Sequence, residues 1–386
     1  MRVLSSNKIF LIRNISPEKF GGGETYQLKL AEEFKKHGFA PAILTNSEKL
    51  LGVAKRQEIK TFVPPYIKNQ NWSGLKNFLL PIYFLRLKRQ QKWYEDLFKK
   101  EKPDVVNIQS RDDWISATLA AKKLGIKILW TDHADFRNWV LWNVEEKFKN
   151  PIGKKIAKLS KVAGKIIFIS EYERNWFTSF PSLRKQKNLT VIPNGVKDEL
   201  AEYEGVKSKR NSFIFLGRIV EEKGIPELLE AFESVSKRFP EATLNIYGSG
   251  PELEKYKKMT KDNKNIFFHG ETNTPTKALA ENEIFVLPSR NEGLSLSLLD
   301  AAMMQKTIIT TDVGAAEEIV GRDASGGFLI HPDSSETLEK AMLEALKDKE
   351  KNKKMAKTAR KTYEKKFNLD RIFEEKMLPL YNIDKN

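Results

Sequence analysis

SFIFLGRIVEEKGIPELLEAFESVSKRFPEATLNIYG, residues Ser212–Gly248, reads as a strand, a helix and a second strand. SFIFLGR (Ser212–Arg218) and ATLNIYG (Ala242–Gly248) are short apolar runs that end in turn residues. Between them, PELLEAFESVSKRF places Leu228, Leu229, Phe232 and Val235 on one helical stripe. Two strands joined through a helix run parallel, and the helix covers one face of their sheet.

The alternation extends in both directions. Downstream lie NIFFHG (Asn265–Gly270), EIFVLPS (Glu283–Ser289), KTIIT (Lys306–Thr310) and GFLI (Gly327–Ile330). Upstream lie KIFLIR (Lys8–Arg13), PAILT (Pro41–Thr45), DVVNIQ (Asp104–Gln109), KILWT (Lys127–Thr131) and KIIFIS (Lys165–Ser170), with a helical stretch from about Glu24 to His37 after the first. At 386 residues the chain is too long for one ordinary domain. The pattern predicts the α/β class, as two Rossmann-like, doubly wound domains facing a cleft. The polar stretch near Val196–Asn211 marks the boundary. The expected division is 1–200 and 201–365, with 366–386 a terminal helix free to pack back on the first domain. Ligands of open α/β sheets sit beyond the carboxyl ends of the strands, so the site is expected on strand-to-helix loops lining the cleft.

Composition narrows the function. The absence of cysteine excludes disulfides and thiolate metal sites and is compatible with a reducing cytosol. No apolar run approaches the roughly 18 residues that span a bilayer. The amino terminus has no signal-peptide core and reads as a first strand, so the expected location is cytoplasmic, free or peripheral at the inner face of a membrane. The net charge is +16. Residues 1–195 hold about 36 Lys/Arg against about 18 Asp/Glu, and the remainder about 31 against about 33. A basic half implies an anionic partner: nucleic acid, acidic lipid or an anionic acceptor. Zinc-finger spacing, an RNA-binding signature and a basic tail are all missing, so nucleic acid is not the expected partner. In residues 66–100, Trp72, Phe78, Leu79, Tyr83, Phe84 and Trp93 interleave with Lys76, Arg86, Lys88, Arg89 and Lys92. This segment reads as a membrane-surface helix or as an ordinary helix with a basic solvent face.

Four loops carry candidate chemistry. Gly21, Gly22 and Gly23 open a helix and leave backbone NH groups open to an anion or a sugar, or form a flexible loop. Their spacing is not the dinucleotide fingerprint, so no nicotinamide cofactor is read. Arg218 and Lys223 follow the strand that begins at Ser212, and suit a diphosphate whose charge develops on leaving, or are solvated charges. Gly248 and Gly250, ahead of Pro251, make a tight turn or a nucleotide cradle. In PSRNEGLSLSLLD, Glu292 and Gly293 lie on a loop, with a helix expected from about Leu294. The amides of Gly293, Leu294 and Ser295 then form a helix N-terminus aimed at a phosphate. Asp300 stands about 12 Å from Glu292 along that axis, within reach of another part of one extended ligand, or is a helix-surface charge.

With these motifs in order, the chain resembles family 4 of the retaining glycosyltransferases, which have the GT-B fold. The resemblance rests on GGGE (Gly21–Glu24), IPNGV (Ile192–Val196), LGRIVEEKG (Leu216–Gly224), YGSGPE (Tyr247–Glu252), PSRNEGLSLSLLD (Pro288–Asp300) and TDVGAAEEI (Thr311–Ile319). It implies a nucleotide diphosphate sugar as donor and a hydroxyl acceptor; the basic, aromatic segment 66–100 makes a lipid-linked or membrane-associated glycan the expected acceptor. The catalytic set it implies is Glu292, His133, Lys223 and Arg218. The donor would meet Gly21, Gly22, Gly23, Asn194, Arg218, Lys223, Gly248, Gly250, Glu292, Gly293, Leu294, Ser295 and Asp300. His133 also reads as a structural histidine. Asp300 stands where the family carries Glu, one methylene shorter. TDVGAAEEI lacks the family's second Gly and its Pro, which leaves Glu318 a structural role. No Asp-x-Asp metal motif is present, since Asp132 and Asp135 are wrongly spaced and Asp112 and Asp113 are adjacent. The expectation is therefore no metal and no cofactor beyond the donor, with front-face attack and retention. A catalytically silent partner subunit and a sugar-nucleotide epimerase are the alternatives on the same fold.

Overall fold

The computed structural model describes residues 7–17, 21–67, 78–111, 113–133, 151–180 and 183–381. The chain divides into two compact units, Met1–Ile192 with Lys376–Asn386, and Pro193–Glu375.

The described residues of the first unit form seven strands: β1 Lys8–Ile12, β2 Ala40–Leu44, β3 Lys60–Phe62, β4 Val105–Ile108, β5 Lys127–Asp132, β6 Lys165–Phe168 and β7 Leu189–Val191. They make one parallel sheet in the order β3-β2-β1-β4-β5-β6-β7. Ile9 stands opposite Pro41 on one side and Val105 on the other. The central strands bury both faces, which is why they read as apolar runs without alternation. Trp114 and Trp130 stack beneath the sheet with ring centroids 5.1 Å apart. Their indole NH groups donate to the Ile108 carbonyl and the Thr118 hydroxyl at 3.2 and 2.9 Å, so neither is buried unpaired. The chain's last described residue closes this unit. Tyr381 packs on Phe34 with centroids 4.6 Å apart, and the Asn107 amide donates to its hydroxyl.

The second unit has six strands: β8 Lys209–Leu216, β9 Thr243–Tyr247, β10 Ile266–Gly270, β11 Asn282–Leu287, β12 Thr307–Thr311 and β13 Phe328–Ile330. The parallel order is β10-β9-β8-β11-β12-β13. The helix Ile225–Arg238 buries Leu228, Leu229, Phe232 and Val235, the stripe its spacing predicts. Residues beyond 365 do not form one helix: Leu369–Ile372, a π-helical turn Phe373–Met377 and Leu378–Tyr381 follow one another. The first of these stays in the second unit, where Val196 bridges Asn368. In each sheet the strand order reverses once, between β1 and β4 and between β8 and β11. Those reversals are the switch points at which a doubly wound sheet opens a crevice.

Candidate functional site

At the second unit's switch point, the loops after β8 and β11 meet. The Lys223 ammonium donates to Glu292 Oε1 at 2.5 Å, and the Ser289 hydroxyl donates to the same oxygen at 2.9 Å. Both charged side chains are mostly buried. Arg218 lies on the same loop as Lys223, exposed and with no acid partner among the described residues.

The surrounding backbone is packed so closely that glycine is required. Gly224 has φ +67°, and a Cβ there would lie 2.0 Å from the Pro288 carbonyl oxygen. Gly248 has φ +144°, and its Cβ would lie 1.8 Å from the Gly217 carbonyl oxygen. A Cβ on Gly250 would meet the Ile219 carbonyl oxygen at 2.0 Å. The turn reading of Gly248 and Gly250 thus has a definite cause: this loop is laid against the one that carries Arg218. Gly314, in TDVGAAEEI, does the same for the loop of Glu292, and Ala315 N donates to Gly293 O at 2.9 Å.

Arg290, a residue the sequence reading passed over, braces this arrangement. Its guanidinium reaches Glu221 at 3.1 Å and Asp333 at 2.5 Å and also pairs with Glu227, while its backbone NH donates to Glu222 O at 2.8 Å. These carboxylates raise its pKa above the ordinary value. The brace fixes the turn bearing Lys223 to the loop bearing Glu292.

The helix after Glu292 starts later than expected. It runs Leu296–Met303, with Ser295 as N-cap accepting from Leu298 N at 3.4 Å. Gly293 and Leu294 therefore belong to the loop, Leu294 is buried, and the free first-turn amides are those of Leu296 and Ser297. The 12 Å helical path from Glu292 to Asp300 is corrected with it, because only Leu296–Asp300 is helical. Asp300 lies on this helix partly exposed. Asn194 is buried, and its side-chain oxygen has no hydrogen-bond partner among the described residues.

In the first unit, Gly21 caps the helix Gly22–Lys36 without a side-chain bond. Arg13, at the end of β1, pairs with Glu24 at 2.5 Å and donates to Gln109 O at 2.9 Å. A Cβ on Gly23 would lie 2.4 Å from the Arg13 guanidinium, so this glycine makes room for the arginine. His133, just past the end of β5, is half-buried, with Nε2 3.2 Å from Gln109 Oε1 and a buried Nδ1 unpartnered among the described residues. Burial, then the Arg13 charge, hold its pKa well below the ordinary value, so it is neutral at pH 7. Arg13 and Gln109 were missed in the sequence because each lies at a strand end, far along the chain from the residue it serves. Asp113 is buried, bonded by Tyr94 at 2.6 Å and Ser110 at 2.7 Å. Asp112 and Asp135 lie outside the described residues. Among the described residues, no group of three acids or histidines is arranged to hold a metal ion.

Two family models match the chain in succession: Glycosyltransferase Family 4 over residues 20–200, and Glycosyl transferases group 1 over 196–362. Among curated proteins, the chain is similar to the poly(glycerol-phosphate) alpha-glucosyltransferase of Bacillus subtilis, 29% identical over 163 residues, which is 42% of this chain and 24% of that protein. It is also similar to the poly(ribitol-phosphate) alpha-N-acetylglucosaminyltransferase of Staphylococcus aureus, 26% identical over 265 residues, 68% of this chain and 51% of that one. The match thus spans about a quarter of the first relative's length and about half of the second's. The crystal structure of Anabaena HepE in complex with UDP and glucose shares the fold, with a TM-score of 0.76 at 16% identity over 98% of this chain and 100% of that one. With the two models running on from one half to the other, the chain belongs to the group 1, family 4 glycosyltransferases.

Proposed function

We propose that the protein transfers a sugar, with retention, from a nucleotide diphosphate donor to a hydroxyl of an envelope glycan or polyol-phosphate polymer, held at a membrane. The observation that carries the donor half is the Lys223–Glu292 pair at the switch point of the second sheet, with Arg218, a cation with no acid partner among the described residues, on the same loop as Lys223. Arg218 offers a forked contact to the diphosphate, and Lys223 a second charge. Glu292 accepts hydrogen bonds from sugar hydroxyls while Lys223 balances its charge. Asp300 is the second acid, directed at the ribose. The acceptor half is supported by the basic first half and by two relatives named for polymers of glycerol phosphate and ribitol phosphate, both polyanions.

In the proposed reaction the bond from the anomeric carbon to the diphosphate oxygen breaks, and a bond from that carbon to the acceptor oxygen forms on the same face. The acceptor's proton passes to the leaving phosphate. Arg218 and Lys223 stabilise the charge left there, in place of a divalent ion.

The test is thermal stability with UDP, GDP, ADP and their sugar conjugates, in EDTA, for wild type and Arg218→Ala. A ligand at a hundredfold its Kd adds about 2.7 kcal/mol. One nucleotide class should stabilise the wild type, and the variant should lose most of that gain. No shift with any nucleotide would overturn the donor assignment in favour of a silent subunit.

A further inference from the structure

Four large apolar side chains stand in solvent within eight residues: Phe78, Leu79, Ile82 and Leu85. Phe78 is 74% exposed. The last two belong to the helix Leu80–Glu101, whose other face buries Tyr83, Leu87, Gln90, Tyr94 and Phe98. That inner stripe already meets the helix's need for burial, so the outer apolar row has no core to fill. The aromatic residues of this segment are otherwise turned inward: Tyr83 is buried, and Phe84 and Trp93 pack partly against the core. Trp72 and Lys76 lie outside the described residues.

Cations follow the apolar row directly. Arg86, Lys88 and Arg89 are exposed and have no acid partner among the described residues, whereas Lys92 is paired with Asp96 at 2.8 Å. From the helix Pro151–Ser160, Lys155 reaches over the Phe84 ring at 5.1 Å. There, burial and then the charge of Lys88 lower its pKa. Cations from two helices thus crowd together beside exposed hydrocarbon.

We propose that this face docks on an anionic lipid surface, with Phe78, Leu79, Ile82 and Leu85 entering the acyl boundary while Arg86, Lys88, Arg89 and Lys155 meet the headgroups. A hydrophilic polyanion would engage the cations and leave the apolar row in water; a lipid surface takes up both. The proposal rests on the membrane-held acceptor in the function proposed above and does not depend on the donor site.

The experiment is flotation with vesicles of phosphatidylcholine alone and of phosphatidylcholine mixed with phosphatidylglycerol. The proteins are wild type, Ile82→Ser/Leu85→Ser and Lys88→Gln/Arg89→Gln. All four positions are exposed, so folding is spared, and the nucleotide-induced thermal shift of each variant checks the fold and the donor site. Wild type is expected to float with the mixed vesicles and not with phosphatidylcholine alone. The cation variant should lose roughly 30-fold in partitioning, and the apolar variant at least about tenfold. Wild type failing to float with the mixed vesicles while its nucleotide shift is present would overturn docking and spare the donor reading. The apolar variant floating as well as wild type would also overturn it, in favour of a polyanionic polymer bound by charge alone.

Discussion

Glu292 is the residue on which most of the proposed chemistry converges, and its pairing with Lys223 gives it a dual character. The pair balances both charges, and in the proposed reaction both groups turn to the donor. Glu292→Gln keeps the shape and removes the charge. Turnover, read as release of nucleoside diphosphate, is expected to fall by about 10²-fold or more, with the nucleotide-induced thermal shift retained. Unchanged turnover would reduce the pair to a structural role. The places of Arg218, Lys223 and Glu292 on loops after strands were legible in the sequence, because charges there stand out against apolar neighbours. Ser289 and Arg290 sit in the same quoted stretch and were not, since their partners are set by the fold. Glu221, Glu227 and Asp333 are brought to Arg290 from three separate loops and helices. Gly248 was legible as a turn, but the reason no other residue serves there is a carbonyl 31 residues earlier in the chain, at Gly217.

At the scale of elements, hydrophobic runs located strands well wherever both faces are buried. All six strands of the second sheet and five of the first unit's seven coincide with runs read from the sequence. The two missed, β3 and β7, are three residues each, lie at the two edges of their sheet and are mostly half-buried, so neither length nor apolarity marks them. Strand order was not legible, because pairing is decided between segments far apart in the chain. At the amino end of β12, Lys306 shows what an element can tolerate. Its ammonium donates to Ala280 O at 3.1 Å, and burial pushes its pKa down to about 8 against the opposing pull of Glu283. Between about pH 8 and about pH 10.4 the unfolded chain holds a proton that the folded one has lost, so stability rises with pH across that window. Below it the penalty is constant. Lys306→Met is expected to flatten this rise and to add about 1–2 kcal/mol at pH 7, checked by urea unfolding at several pH values. A variant less stable than wild type at pH 7 would show that the bond to Ala280 outweighs desolvation.

At the scale of the whole molecule, two sheets of similar plan carry different charge: the excess of Lys and Arg belongs to the first half of the chain. The plan follows from strand–helix alternation, and the uneven charge from composition. What composition does not reveal is that the first unit is discontinuous, completed by residues from Lys376 onward. Tyr381 is fully buried there, against Phe34 and the Asn107 amide. Tyr381→Ala should cost about 3–5 kcal/mol, and hydrogen exchange should show the loss in β1 and β4 and not in β8. Equal loss in both sheets would mean that the tail stabilises the molecule as one cooperative block.

This closure has a bearing on biosynthesis. A chain leaving the ribosome ordinarily completes its domains in the order they are encoded. Here a segment that follows the second domain in the chain supplies a wall of the domain that precedes it, so the first domain waits, with the pocket for Tyr381 uncovered, until the second has been made. The second domain, continuous in the chain, is free to finish before it.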